Sequence, residues 1–185
     1  MFKKLLASEF APYGSLSGDQ LEQLENHYLT LMRWNERLNL TRILSLEESV
    51  QFHYGESLFL ARFLPPGPLR IADVGSGAGF PGIPVAIFRP DCAITLVESH
   101  QRKAVFLREA ARRLRNTRVV SMRAEDVDET FDWLISRAVA PSEVLKVGLS
   151  QSVALLIGQE EASRLNGTSQ PVPWGKQRVL FHVER

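Results

Sequence analysis

The sequence predicts an α/β protein in which helices cover a mostly parallel sheet. The first observation is the stretch 69–82, where a short apolar run ends in four glycines within eight residues. The second is the alternation of apolar runs and amphipathic segments after it, which is typical of a parallel sheet. The third is helical spacing of apolar residues before residue 65. We therefore expect a helical N-terminal extension over residues 1–64 and one compact α/β unit over residues 65–185.

Composition limits the class of protein. Hydrophobic residues make up 44% and charged residues 23% of the 185 residues, as in ordinary globular domains. The single cysteine, Cys92, cannot form an internal disulfide, and no cysteine and histidine cluster has metal-ligand spacing, so we expect no metal. No apolar run could cross a bilayer, and Glu9 and Pro12 interrupt the segment where a signal peptide would have its apolar core. These features predict a cytoplasmic protein without membrane contact.

Residues 1–64 show the pattern of helices. Apolar residues repeat at helical spacing through residues 21–38, and Ser17 with Gln20 forms the pattern of a capping box. A second helix is expected to begin at Ser45 and to end before Pro65. The link over residues 39–42 offers polar groups, and residue type alone favours a capping or turn role for Asn39 and Thr41.

The glycine-rich segment follows a predicted buried strand over residues 69–74. Glycine accepts positive φ and lets a ligand approach the main chain, and the following prolines, Pro81 and Pro84, suit the first turn of a helix. A strand, a glycine turn and a helix N-terminus together form a nucleotide-type site. The glycines concerned are Gly75, Gly77, Gly79 and Gly82.

Two ligands are compatible with this segment. Counted from Gly77, the glycines satisfy the dinucleotide fingerprint; counted from Gly75 and including Asp73, they match the first motif of S-adenosylmethionine (SAM) methyltransferases. A dinucleotide fingerprint normally begins directly after the strand, whereas Gly77 comes two residues later. An acid at the strand end also suits the cationic amino group of SAM better than a pyrophosphate. We therefore favour SAM.

Four more strands and a terminal hairpin complete the predicted sheet. The strands are expected over residues 94–97, 119–122, 131–135 and 153–157, with a short helix over residues 144–149. The hairpin is expected to pair residues 171–174 with residues 178–183 around Gly175.

Polar residues at the carboxyl ends of these strands should converge at one edge of the sheet. Glu98 is placed to accept hydrogen bonds from both ribose hydroxyls, and Ala124 and Glu125 would face the adenine edge. Ser76 belongs to the same glycine loop. Arg137, at the end of the fourth strand, either pairs with nearby acids or orients a substrate.

Positive charge is concentrated in one segment. Residues 101–118 carry seven basic residues against one acid, whereas the whole chain has a net charge of only +1. A helix over residues 101–115 would present Arg108, Arg112 and Arg115 on one face. The pattern indicates RNA binding, and an ordinary solvated face remains the alternative.

Four motifs of the chain closely resemble the glucose-inhibited division protein B family, the bacterial 16S rRNA guanine-N7 methyltransferases. They are WNxxLNLT (34–41), HxxES (53–57), DVGxGxGFPGIP (73–84) and ISRA (135–138). The resemblance implies a class I SAM methyltransferase fold, Rossmann-like with a mostly parallel seven-stranded sheet. It also implies SAM as donor and N7 of guanine 527, in the 530 loop of 16S rRNA or the small ribosomal subunit, as acceptor. We expect a monomer.

The resemblance also assigns roles to residues. Gly75, Phe80, Ala124, Glu125 and Arg137 would line the cofactor site, while Asn39, Thr41 and His53 would lie near its mouth and contact substrate. Arg137, Arg178 and Asn39 are the candidates for catalysis.

Two departures from the family leave alternatives open. Glu56 stands where the family usually has aspartate, and Ile157 stands where it usually has lysine. The missing lysine makes a SAM-binding RNA-binding protein with little catalysis one alternative. A methyltransferase acting on another substrate is a second alternative, and the dinucleotide fingerprint counted from Gly77 leaves a nicotinamide-binding domain as a third.

Overall fold

Seven strands form one sheet in the computed structural model, which describes residues 1–184. The strands are β1 Arg70–Val74, β2 Ala93–Val97, β3 Thr117–Val120, β4 Trp133–Arg137, β5 Ser152–Gly158, β6 Thr168–Pro171 and β7 Arg178–Glu184. Their order is β3-β2-β1-β4-β5-β7-β6. β1 to β5 are parallel, and β7 is antiparallel to both β5 and β6. The order reverses between β1 and β4, which is where an open α/β sheet forms its ligand crevice.

The central strands are apolar because both of their faces are covered. In β1, β2 and β4 four of the five residues are buried, and in β5 five of seven. Such near-continuous apolar runs are typical of parallel strands between helical layers. β3 begins two residues earlier than the predicted strand, and β4 begins and ends two residues later, so that Arg137 is part of the strand.

Helices lie on both faces of the sheet. They are α1 Phe2–Phe10, α2 Gly18–Leu38, α3 Leu46–Glu48, a π-helix Ser49–Gly55, α4 Glu56–Phe63, α5 Gly82–Phe88, α6 Gln101–Ala110, α7 Pro141–Lys146 and α8 Gln159–Ala162. The predicted capping box at the start of α2 is present: the Gln20 amide donates to Ser17 Oγ, and the Ser17 amide donates to Gln20 Oε1. No helix in the described part of the chain is long and apolar enough to span a bilayer.

The helical segment before residue 65 packs directly on the sheet. Phe2, Leu6 and Tyr54 belong to the same hydrophobic cluster as Ile71 of β1 and Ile135 of β4. The change of sequence pattern near residue 65 therefore separates an all-helical segment from an α/β segment, and the two segments share one hydrophobic core. The second predicted helix is interrupted by the π-helix, which carries His53.

The terminal hairpin forms, but its first arm is not the predicted one. β6 ends at Pro171, so residues 172–174 lie outside the strand. The two prolines of this segment have no amide hydrogen to donate to a ladder. Trp174 instead turns inward and packs against Gly55, where a Cβ, if present, would lie only 2.9 Å from the ring. Its Nε1 donates to the carboxylate of Glu9.

The basic segment is also shorter as a helix than predicted. α6 ends at Ala110, so Arg112 and Arg115 lie in the following turn and not on the helix face with Arg108. Asn116, which follows Arg115, donates to the carbonyl of Ala86 in α5 and to the carbonyl of Cys92, directly before the start of β2. Arg112 and Arg115 therefore lie toward the edge of the sheet where the strands begin, opposite the crevice.

Candidate active site

A cavity of about 320 Å³ lies at the point where the strand order reverses. Its walls come from the loops that follow the first four strands, including Gly75, Ser99, Glu125 and Val139. Of the nine predicted cofactor-binding residues, Gly75, Ala124 and Glu125 line this cavity. The carboxyl ends of these strands thus meet in space.

The glycine loop has a backbone that other residues adopt only with strain. Gly75, Gly77 and Gly79 have φ values of +71°, +54° and +88°. A Cβ at Gly75 would lie 2.4 Å from Val139 Cγ2. The Gly75 and Ser76 amides both donate to the Val97 carbonyl, at 2.9 and 3.1 Å. Bare main chain is required here because the loop after β4 packs against it.

Glu98 is tied to the glycine loop. Its Oε2 accepts from the Gly77 amide at 2.9 Å and its Oε1 accepts from the His100 amide at 2.8 Å, and the residue is buried. From the sequence we predicted that Glu98 would bind ligand hydroxyls, but not that it would also hold the glycine loop. Glu98 does not line the first cavity, but each carboxylate oxygen can accept more than one hydrogen bond, so these main-chain bonds leave it acceptor capacity.

Asp73 does not line the cavity. It is fully buried on the other face of β1, where its Oδ2 accepts from the Gly82 amide at 3.0 Å. Its Oδ1 has no partner among the described residues, and burial raises the pKa of Asp73 to about 7. The acid expected to face a cationic ligand group instead connects β1 to the start of α5.

His27 positions the tip of the glycine loop from α2. Its Nε2 donates to the Ala78 carbonyl at 3.0 Å, because a carbonyl only accepts. Its Nδ1 therefore accepts from the Tyr54 hydroxyl at 2.9 Å. Burial lowers the pKa of His27 to about 4, so the ring is neutral at physiological pH.

His53 connects the end of β4 to the loop after α2. Arg137 donates from Nη1 to His53 Nδ1 at 2.7 Å, so His53 Nε2 carries the hydrogen that points at Thr41 Oγ1, 2.8 Å away. Burial, together with the charge of Arg137, lowers the pKa of His53 to about 3. The ring also stacks on Phe80, with centroids 4.4 Å apart. His53 is thus a neutral connector between Arg137 and Thr41.

Glu56 binds both of the arginines that the sequence singled out. Arg178 donates from Nε and Nη2 to its two oxygens at 3.1 and 2.8 Å. Arg137 Nε lies 3.9 Å from Oε2, and burial lowers the pKa of Arg137 to about 10. The Glu56 side chain is 0% exposed. This carboxylate, at the first residue of α4, orients the Arg178 guanidinium by two hydrogen bonds and lies within ion-pair distance of Arg137.

A second cavity, of about 170 Å³, adjoins the first at Val139. It lies between the loop after β4 and the end of β5, with Ile157, Glu161 and Arg178 in its walls. Ala138, which also lines it, has φ of +62°, a strained value for a residue with a side chain. Arg178 faces this cavity, whereas Arg137 lines neither.

The remaining predicted residues lie apart from both cavities. Asn39 is exposed and ends α2 in a left-handed conformation, which is the capping role that its residue type favoured. Asn35, one turn earlier in α2, makes the hydrogen bonds that shape the loop: its side chain donates to the Thr41 carbonyl and accepts from the Thr41 amide. Arg108 is exposed on α6. No group of three potential metal-ligating side chains occurs within residues 1–184.

Sequence reasoning missed His27, Asn35, Glu161 and the carboxylate of Glu56 as parts of the site. Asn35 and Glu56 lie inside the quoted motifs, which was the available signal. His27 falls on the apolar face of α2 and Glu161 on a short acidic run, and neither pattern points to a site.

Solved structures with similar folds are SAM methyltransferases. A SAM-dependent methyltransferase from Aquifex aeolicus matches with a TM-score of 0.56 at 13% identity, covering 74% of this chain and 92% of its own. A precorrin-6y C5,15-methyltransferase from Geobacter metallireducens also matches at 0.56, with 12% identity and coverage of 78% and 92%. At such identities the similarity concerns the fold. It confirms the predicted class I, Rossmann-like fold.

Sequence comparisons specify the family. A family model, GidB, rRNA small subunit methyltransferase G, matches residues 20–167. Two relatives named ribosomal RNA small subunit methyltransferase G come from Halorhodospira halophila and Dichelobacter nodosus, at 42% and 50% identity. The matches cover 72% and 62% of this chain, and 64% and 56% of the relatives. The chain thus spans about three-fifths of the length of these relatives. The resemblance seen in the four motifs is confirmed, and the chain belongs to the rRNA small subunit methyltransferase G (GidB) family.

Proposed function

We propose that the protein transfers a methyl group from SAM to N7 of a guanine in 16S rRNA. The observation that carries the proposal is the pair of adjoining cavities that share Val139, one bordered by the glycine loop and one by Arg178. A methyl donor and an acceptor base need two such neighbouring sites. The family membership supports the same assignment.

The residues around the first cavity fit SAM. A Cβ at Gly75 would have no room, so the main chain itself forms the wall beside which the donor would lie. Glu98 would bind the ribose, and Ala124 and Glu125 would face the adenine. Ser76, Gly77, Gly79 and Phe80 shape the loop beneath the methionine portion. When bound, SAM supplies an electrophilic methyl group on a cationic sulfur.

The reaction needs no general base. Guanine N7 has an exposed lone pair, so catalysis depends on in-line positioning of two bound reactants. The histidines of the site match this requirement, since His27 and His53 both have lowered pKa values and hydrogen bonds at both ring nitrogens. They position other groups.

The arginines would serve the acceptor base. An arginine can donate to guanine O6 while N7 attacks the methyl group. Arg178 faces the second cavity directly. Arg137 donates to His53, which in turn donates to Thr41. Arg137 would therefore position the loop that begins at Asn39.

The exposed arginines support an RNA substrate. Arg37 of α2 and Arg102 of α6 line a groove of about 470 Å³, and neither forms an ion pair within residues 1–184. Such groups bind phosphates. Arg108, Arg112 and Arg115 extend the positive charge away from the crevice. We propose a cytoplasmic monomer that acts on the 530 loop, at guanine 527, in 16S rRNA or the small ribosomal subunit.

Transfer of labelled methyl groups from SAM to small-subunit RNA tests the proposal. We expect 7-methylguanosine at a single position after nuclease digestion. SAM binding by calorimetry without methyl transfer to RNA or subunits would favour the SAM-binding RNA-binding protein, for which Ile157 in place of a lysine is the argument. Binding of NAD in place of SAM would refute both.

A further inference from the structure

We propose that the second cavity recognises the Watson–Crick edge of the target guanine through Glu161 and Arg178. Glu161 would accept hydrogen bonds from N1–H and the 2-amino group, and Arg178 would donate to O6. The inference rests on the proposed function and extends it to base specificity. It concerns the cavity of about 170 Å³ that adjoins the first cavity at Val139.

Arg178 has donors left for a ligand. Its Nε donates to Glu56, and its Nη2 donates to Glu56 and, at 3.4 Å, to the Leu156 carbonyl. Nη1 makes no hydrogen bond to any residue within 1–184. Because a guanidinium is planar and Glu56 binds one side of it, the direction of the Nη1 hydrogens is set before a ligand arrives. The side chain is 32% exposed, so a ligand in the cavity can reach it.

Glu161 supplies the opposite chemistry in the same cavity. Its carboxylate accepts no hydrogen bond from residues 1–184, although its neighbour Glu160 is paired with Arg164. An ionised carboxylate only accepts hydrogen bonds. The cavity therefore presents an acceptor and a donor, which is the complement of the donor, donor, acceptor edge of guanine. Adenine would place its N1 acceptor against the carboxylate and has no O6 for Arg178.

The other walls of the cavity leave room for a flat base. Val139 borders it with a small apolar side chain, and Ala138 and Gly158 carry no side chain large enough to block a flat ring. Since Val139 also borders the first cavity, a base held here lies next to the proposed methyl donor.

The test compares three proteins on two RNAs. Glu161→Gln removes the charge and replaces one acceptor with a donor, and Glu160→Gln is the matched control on the same short helix. Both positions are exposed, so folding is not expected to change. The substrates are small-subunit RNAs with guanine or inosine at the methylated position, inosine lacking only the 2-amino group. Initial rates and SAM affinity are measured for each.

We expect Glu161→Gln to lower kcat/KM on the guanine RNA by about 5- to 150-fold, the range for one good base contact, with SAM affinity unchanged. Glu160→Gln should match the unmodified protein. The unmodified protein should lose activity on inosine RNA, and Glu161→Gln should lose less by the same change. Equal sensitivity to inosine in both proteins, or full activity of Glu161→Gln, overturns the inference and leaves the proposed function intact. Absence of methyl transfer by the unmodified protein refutes the proposed function and this inference with it.

Discussion

Replacing Glu56 with glutamine tests whether this carboxylate organises the acceptor side of the site. Glu56 is 0% exposed, and its two arginine partners, Arg137 and Arg178, have side chains 14% and 32% exposed. Glutamine keeps one acceptor oxygen but turns an amide donor toward a guanidinium donor. Breaking a buried ion pair typically costs about 3–5 kcal/mol. Because water reaches part of Arg178, we expect the lower end, about 3 kcal/mol, and a fall in Tm of about 6–12 °C for a chain of this size.

Urea denaturation and calorimetric melting measure this change, and methyl-transfer rates are compared at a temperature where both proteins are folded. We expect slower methyl transfer with SAM affinity retained, since the carboxylate lies away from the first cavity. Glu48, the last residue of α3, has an exposed carboxylate, and Glu48→Gln serves as control. Its free energy of unfolding should stay within about 0.5 kcal/mol of the unmodified protein. Glu56→Gln combined with Arg178→Gln should recover part of the stability. A loss below about 1 kcal/mol for Glu56→Gln would refute the argument.

Three other changes test other parts of the site. Glu98→Ala should weaken SAM binding by about 1.5–3 kcal/mol for each charge-assisted bond lost, and unchanged affinity by calorimetry would remove Glu98 from the cofactor site. His27→Gln keeps a donor and an acceptor but cannot titrate. Because burial lowers the pKa of His27 from 6.5 to about 4, its contribution is present above pH 6.5, and about 3 kcal/mol is lost as pH falls to 4. The glutamine variant should lack this loss, whereas the buried groups His53 and Asp73, whose pKa values are also shifted, titrate in both proteins; identical pH profiles of the free energy of unfolding would contradict the assignment. Glutamine at Arg108, Arg112 and Arg115 together should reduce the salt slope of RNA binding by about 0.7 per lost phosphate contact, and an intact slope would show that these arginines are only solvated.

Local patterns in the sequence were enough to predict the frame of the site. The apolar run before Gly75, the spacing of the glycines and the capping box at Ser17 are each encoded within a few residues, and the structure has all three. The alternation of strands and helices likewise predicted that the first four strand ends would meet. These features depend on backbone conformation and on apolar periodicity, which neighbouring residues determine.

Only the tertiary structure decided which polar groups face one another. Glu56 and Arg178 are separated by 122 residues and His27 and Ala78 by 51, so no local pattern could pair them. The burial that lowers the pKa of His27 exists only once α2 packs on the glycine loop. By itself the sequence determined a glycine loop at the end of a buried strand. Packing of distant segments placed Arg178 in the wall of the second cavity and Arg137 in the wall of neither cavity, because a guanidinium removed from water must lie where a carboxylate or another acceptor compensates its charge.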